Sequence, residues 1–319
     1  MANGKPRSKT KLRVVENLIL LAIFLVAAYL LNNYFFTVPV IVSVLKGVAL
    51  IAVLAMAESI VLAVGGIDLS VAGVGLLSAS VIFYLVETGL TGVVPAVLVS
   101  LVIGAVIGFI NGFFVAKLRI NSIIVTMGTA LLARGVSGAM SNNIIIFNSR
   151  PEFAFFKSVS LYVIPTSLII ALLIMMLCWA VFRFTVVGRQ VFAVGGSERS
   201  AKLSGLKVGR IKTYAYLGTG VLAAVGGLMV LADSAVAARF FGAGADIEII
   251  LAAVIGGVSL YGGASIFFRA CIGASLIAVL NRIIYGLLVF DYMRALIVGA
   301  VVLIVIAVKK NMFQREKIE

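Results

Sequence analysis

Long apolar runs, separated by short polar or glycine-rich breaks, recur from one end of the chain to the other. They are Val14–Leu31, Val40–Val64, Leu69–Val86, Val93–Ala116, Asn121–Met140, Val163–Phe182, Thr213–Leu231, Ile249–Leu260, Ile266–Leu288 and Tyr292–Val308. Most hold about 18–25 residues, the length of helix that crosses a ~30 Å hydrocarbon core. The runs are continuous, whereas a transmembrane barrel shows short alternating segments. The pattern therefore predicts an all-α, polytopic helical membrane protein with about ten transmembrane helices. Ile249–Leu260 is too short for a comfortable crossing.

Composition agrees: 63% of residues are hydrophobic, 12% are charged and the mean hydropathy is +1.22. A net charge of +14 would suit a nucleic-acid partner, but its placement points elsewhere. Lys5, Arg7, Lys9, Lys11 and Arg13 precede the first run. Arg189, Arg199, Lys202, Lys207, Arg210 and Lys212 share one mid-chain loop, and Lys309, Lys310, Arg315 and Lys317 close the chain. Basic clusters flanking spans follow the positive-inside rule, so both termini and the loop 183–212 are expected in the cytoplasm, with no nucleic acid bound. The expected division is a basic cytoplasmic tail over 1–13, a membrane domain over 14–310 and a second tail over 311–319. The basic start and Leu-rich first run resemble a secretory signal, but no convincing cleavage site precedes a soluble domain, so the run reads as an uncleaved first span. Residues 141–162 form the longest expected outside connection.

Several chemistries are excluded. The chain has no histidine, and Cys178 and Cys271 both sit in apolar runs without metal-ligand spacing. No G-x-x-x-x-G-K-[ST] pattern occurs, so any ATP hydrolysis by a P-loop belongs to another polypeptide. No metal ligand set and no catalytic constellation stand out.

What remains are the breaks and the buried charges. Gly65-Gly66-Ile67-Asp68-Leu69-Ser70 sets a double glycine and a carboxylate between two apolar runs. Freed backbone groups and an ionised aspartate are costly at membrane depth. The stretch reads either as a turn, with Asp68 or Ser70 capping the next helix, or as a helix opened to line a solute path. Gly256-Gly257-Val258-Ser259-Leu260 echoes it in the second half, though at an unlike position in any repeat. Glu58 has too short a stem to reach the headgroups and is a candidate for an interior position. Lys46, Arg134, Arg282 and Arg294 are expected to snorkel. Asn111 and Asn281 suit hydrogen bonds between helices. In the basic loop, Ser197 is placed to N-cap a short helix through Glu198, Ala201 and Leu203, which Gly205 stops just after Ser204. Such a helix is marginal alone and calls for a partner.

Three motifs occur in order: Ala63-Val64-Gly65-Gly66-Ile67-Asp68-Leu69-Ser70-Val71, Gly195-Gly196-Ser197-Glu198-Arg199-Ser200-Ala201-Lys202-Leu203-Ser204-Gly205-Leu206, and Ala252-Ala253-Val254-Ile255-Gly256-Gly257-Val258-Ser259-Leu260-Tyr261-Gly262-Gly263. Together they resemble the permease subunits of bacterial ABC sugar importers of the ribose type, over nearly the whole chain beyond residue 40. The resemblance implies a transport subunit in the bacterial inner membrane, paired with a second permease copy or homologue. A cytoplasmic ATPase carrying ATP and Mg would serve the pair, and an extracytoplasmic binding protein would deliver a sugar or sugar-like solute. It also implies an ATPase-coupling loop at Gly195, Gly196, Ser197, Glu198, Ala201, Leu203, Ser204 and Gly205. Glu58, Gly65, Gly66, Asp68, Ser70, Gly256 and Gly257 are candidates for the translocation path or its gating. Arg239, Asp246 and Glu248 are candidates for docking the binding protein. Ser197 stands where the family usually has asparagine, Asp246-Ile247-Glu248 exchanges the order of a Glu-Leu-Asp, and Ile266-Phe267-Phe268-Arg269 replaces a small, glycine-rich continuation. Two other classes fit the composition: an ion-coupled secondary transporter using Glu58 or Asp68, and a membrane assembly protein with no solute path.

Overall fold

An unbroken run of buried residues marks the helix that the others surround. A computed structural model describes residues 6–141, 160–161, 164–232, 244–260, 262–263, 267–286, 293, 296–300 and 303–304. At its centre is α2 (Val38–Ala63), buried without interruption from Ala49 to Ala63. Apolarity alone would suit a lipid-facing span equally well, so it is the packing of neighbouring helices around α2 that makes it the core. Around it lie α1 (Pro6–Leu31), α3 (Val71–Glu87), α4 (Val93–Ala116), α5 (Ser122–Ser141) and α6 (Thr166–Phe184). They are followed by α7 (Val186–Gly196), α8 (Glu198–Leu203), α9 (Val208–Ala232), α10 (Ala245–Gly256) and α11 (Phe267–Gly286). A short antiparallel hairpin of β1 (Ser160–Leu161) and β2 (Ile164–Pro165) precedes α6.

Helices α6, α9, α10 and α11 pack on α2; α4 and α5 lie beyond, α4 against α9 and α5 against α3, and α1 lines α11. Small residues make the tightest of these contacts, as expected where lipid tails are no less apolar than the helices. Gly104, Gly108 and Gly112 recur every fourth residue on one face of α4 and press against the α9 backbone at Gly220, Tyr216 and Thr213.

Among the described residues, six helices, α2, α4, α5, α6, α9 and α11, are long and apolar enough to cross a membrane. Val15–Leu31 of α1 and all of α3 are apolar but shorter. With 12 residues, α10 reaches only ~18 Å and crosses about half of the core. The chain is thus a multi-pass helical membrane protein whose crossings are unequal. The last apolar run, Tyr292–Val308, and the tail 311–319 lie largely or wholly outside the described residues.

Three further boundaries differ from those the sequence predicts. Helix α1 starts at Pro6, so most of the basic tail continues the first helix instead of standing apart. Proline suits the first helical turn, and Lys and Arg are good helix formers. The loop 183–212 also holds α7, separated from α6 only by an extended Thr185. Gly188 of α7 lies on the Phe182 backbone, too close for any side chain. Finally, α9 begins at Val208, so Arg210 and Lys212 belong to a helix and not to a loop.

Candidate functional site

The break after α2 begins as a helix stop. Gly65 adopts φ +77°, its N–H donates to Leu62 O (3.0 Å), and the Gly66 N–H donates to Val61 O (3.0 Å). That pair of bonds is a Schellman stop with glycine at the left-handed position. Gly66 is needed for a different reason: a Cβ there would lie 2.5 Å from the Tyr216 hydroxyl and 2.9 Å from Val61 Cγ1.

From Gly66 the chain turns back beside α2 and α5 without helical hydrogen bonds, yet each amide in turn has an acceptor. Ile67 N–H donates to Ser122 Oγ (3.4 Å), Asp68 N–H to Glu58 Oε1 (3.2 Å), and Leu69 N–H to Thr126 Oγ1 (3.0 Å). Ser70 donates from both its N–H (2.8 Å) and its hydroxyl (2.5 Å) to Asp68 Oδ1, and Asn111 Nδ2 donates to Ser70 Oγ (2.9 Å). Glu58, Asp68, Ser70, Asn111 and Thr126 are all buried. Irregular backbone is tolerated at membrane depth only where protein supplies its partners. Here side chains of α2 and α5 supply them, and Asn111 of α4 fixes the Ser70 hydroxyl.

The start of α3 closes the site. Ser70 occupies its N-cap position, but no side-chain cap bond forms there. The expectation that Asp68 or Ser70 caps α3 is thus corrected: Asp68 holds the Ser70 amide, one step too early. The carboxylate of Asp246, from the first turn of α10, instead lies near the amides of Ala72 and Gly73, with its Oδ1 making no hydrogen bond. Negative charge at a helix N-terminus is favourable. Arg134 of α5 forms a salt bridge with Asp246, so α3, α5 and α10 meet at one ion pair.

Several residues land elsewhere than expected. Arg134 is paired and three-quarters buried, not snorkelling. Asp246 is engaged with Arg134, and Glu248 is buried with its Oε2 accepting from Asn281 Nδ2 (2.9 Å). These two carboxylates face inward, which removes them from the outer docking surface where they were expected; Arg239 lies outside the described residues. Gly256 and Gly257 sit at the far end of α10 from Asp246. Gly257 takes φ +104° in a second Schellman stop, with Gly257 N–H to Val254 O (2.9 Å) and Val258 N–H to Ala253 O (3.0 Å). Arg269 Nη1 donates to the Gly257 carbonyl (3.2 Å). The two glycine pairs therefore build the same stop with different members, Gly65 first in its pair and Gly257 second.

In the basic loop, Ser197 Oγ accepts from Ser200 N–H (3.2 Å) and caps α8. Gly205, at φ +80°, ends it with bonds from Gly205 N–H to Lys202 O (3.1 Å) and Leu206 N–H to Ala201 O (3.1 Å). Ser204 Oγ adds a bond to Ser200 O (3.0 Å), and Lys212 Nζ of α9 pairs with Glu198 Oε2 (2.6 Å). Ala201 faces inward while Leu203 is 82% exposed.

The family of branched-chain amino acid transport system / permease components matches residues 40–306, which is most of the chain. The chain belongs to this permease family. Among the permease's relatives are the ribose import permease proteins RbsC of Escherichia coli, 30% identical over 94% of this chain and 95% of that one, and of Haemophilus influenzae, 31% identical over 95% and 94%. The galactofuranose transporter permease protein YtfT of Escherichia coli is 34% identical over 85% and 80%. No solved structure matches. The permease is a transmembrane subunit of an ATP-binding-cassette importer, a transport component whose ATPase is a separate subunit.

In that light the broken segment is a positioned element of a transport subunit. Glu58 and Asp68 each accept a backbone N–H through one carboxylate oxygen, so both hold the chain at the break, while Glu58 Oε2 is buried without a hydrogen-bond partner. Replacing Glu58 by leucine leaves the buried Asp68 amide without an acceptor and is expected to cost about 1–3 kcal/mol. Glutamine retains an acceptor and should cost less. Thermal unfolding of the purified protein ranks the two variants; equal losses would show that the Glu58–Asp68 bond contributes nothing.

Proposed function

We propose that this permease imports a sugar or sugar-like solute across the bacterial inner membrane, with both termini and the loop 183–212 in the cytoplasm. The membrane domain is taken as 14–310 with about ten spans, flanked by tails at 1–13 and 311–319. Relatives named for ribose import, galactofuranose transport and D-allose transport support the solute class. On this reading a second copy or homologue completes the translocation path, an extracytoplasmic binding protein delivers the solute, and ATP with Mg is bound by the ATPase alone.

The observation that carries the reading is α8. It is a six-residue helix, capped at both ends, tied to α9 through Glu198 and Lys212, and presenting a nearly bare leucine among basic residues. An isolated helix this short would not hold its shape in water, and an exposed apolar anchor on a rigid mount is what a docking partner grips. The ATPase is that partner. The loop residues Gly195, Gly196, Ser197, Glu198, Ala201, Leu203, Ser204 and Gly205 form the mount and its contact surface.

Leu203→Asp is expected to lower the ATPase recovered with the tagged permease by about tenfold, the scale of one interface anchor, with membrane insertion unchanged. Recovery equal to wild type would place the docking surface elsewhere. The solute class is tested by uptake of labelled pentoses and hexoses in a strain deleted for the permease. Restored uptake of any of them supports it, and restored uptake of amino acids alone would reject it.

A further inference from the structure

The three glycine motifs meet at a point that the residues of the broken helix do not reveal. Gly195, in the last turn of α7, lies against the carbonyl of Ala63, the last residue of α2, and a Cβ there would also sit 2.6 Å from the Gly263 nitrogen. Gly262 closes from the other side, where a Cβ would fall 2.5 Å from the Gly195 carbonyl oxygen. The Gly263 N–H donates to Ala63 O (3.1 Å). Three backbones, from the end of α2, the end of α7 and the segment following α10, thus touch with no side chain between them.

The neighbours of this contact give it meaning. Two residues beyond Gly195 is Ser197, the cap of α8. Two residues beyond Ala63 is Gly65, where the chain turns into the segment ending at Asp68 and α3. Side chains can change rotamer and absorb a small shift, but backbone in direct contact within a close-packed interior passes it on. Val191 and Val194 bury the rest of α7 against the core, so α7 is held where it could carry a displacement of α8.

We infer that the contact among Gly195, Ala63, Gly262 and Gly263 is the joint through which movement of α8 reaches the α2–α3 break, making Gly195 and Gly262 positioning residues for coupling. The inference rests on α8 being the ATPase-docking helix. Small displacements at one site become discrete rearrangements at another when packed elements slide as units. A joint without side chains has a further requirement: no residue larger than glycine fits at 195.

The test uses the full transporter, with permease, ATPase and binding protein reconstituted in proteoliposomes, and reads solute moved per ATP hydrolysed. Gly195→Ala wedges the joint apart, and a single glycine inserted between Gly196 and Ser197 lengthens the link to α8 while sparing the joint. Both are expected to lower the ratio by about tenfold, within the range of coupling energies between sites. Gly218→Ala, whose added Cβ meets nothing within 4 Å, should keep the wild-type ratio. If Gly195→Ala does not fold, the insertion decides alone. A wild-type ratio in the insertion variant, or in a folded Gly195→Ala, would overturn the joint. Wild-type permease purifying without any ATPase would instead overturn the docking reading beneath it.

Discussion

Arg134→Ala is expected to lower the stability of the purified permease by about 1–3 kcal/mol, between the cost of breaking an exposed ion pair and that of stranding one member of a fully buried pair. Asp246 is only 17% exposed and Arg134 26%, so neither charge is well served by solvent. The carboxylate would also be left near Glu58 and Asp68, which carry the same sign of charge when ionised. The amides of Ala72 and Gly73 would offset part of the loss, since a helix N-terminus contributes about 0.3–1 kcal/mol to a nearby anion. Adding Asp246→Asn should therefore recover much of the stability, because the stranded charge is then gone. Thermal unfolding in detergent provides the measurement. A loss below about 1 kcal/mol would mean that the pair behaves as an exposed one, and that α3, α5 and α10 are held together by packing alone.

Gly108→Leu should be at least as damaging, through packing and not charge. At this position α4 rides directly on α9: a Cβ would collide with the Tyr216 carbonyl oxygen and sit 2.9 Å from Leu217 Cα. The clash is with backbone, so no rotamer change relieves it and the two helices must separate. Overpacking a core costs about 1–3 kcal/mol when neighbours can adjust, and here the expectation is the top of that range or beyond. Separation would also pull Tyr216, which is wholly buried, away from Gly66 and the broken segment. Gly218→Leu is the comparison, because that glycine of α9 faces open space. Unfolding temperatures that fall equally in both variants would show that the glycine contact between α4 and α9 is not specific.

Much of the architecture can be read from one-dimensional pattern, since membrane spans announce themselves by length and apolarity. The residues around Ser197 and Gly205 likewise define α8 almost completely, because both caps are local and involve neighbours a few positions apart. The partners of the broken segment are another matter. Gly65 and Gly66 signal a stop, but nothing near them in sequence says that Ile67 and Leu69 will find acceptors on Ser122 and Thr126, 55 and 57 positions away. Two hydroxyl residues four apart in an otherwise apolar run were the available signal for that face of α5. Arg134 misleads for the same reason: a lone arginine in an apolar run suggests snorkelling, and only the fold brings Asp246 to it from 112 positions away. Asp246 and Glu248 misread as surface groups because their segment is locally polar. Burial there is decided by packing against α3 and α11, which local composition does not encode.

Transport by this permease is expected to be driven by ATP through a partner, with Glu58 and Asp68 holding the broken helix and not carrying protons. Solute uptake into cells, followed under separate ATP depletion and protonophore treatment with the cellular ATP level monitored, tests it most directly. The prediction is that uptake stops when ATP is depleted and continues when the proton gradient is collapsed while ATP is maintained. Uptake that ignores ATP depletion and stops with the protonophore would contradict ATP-driven transport and make Glu58 and Asp68 an ion-coupling pair.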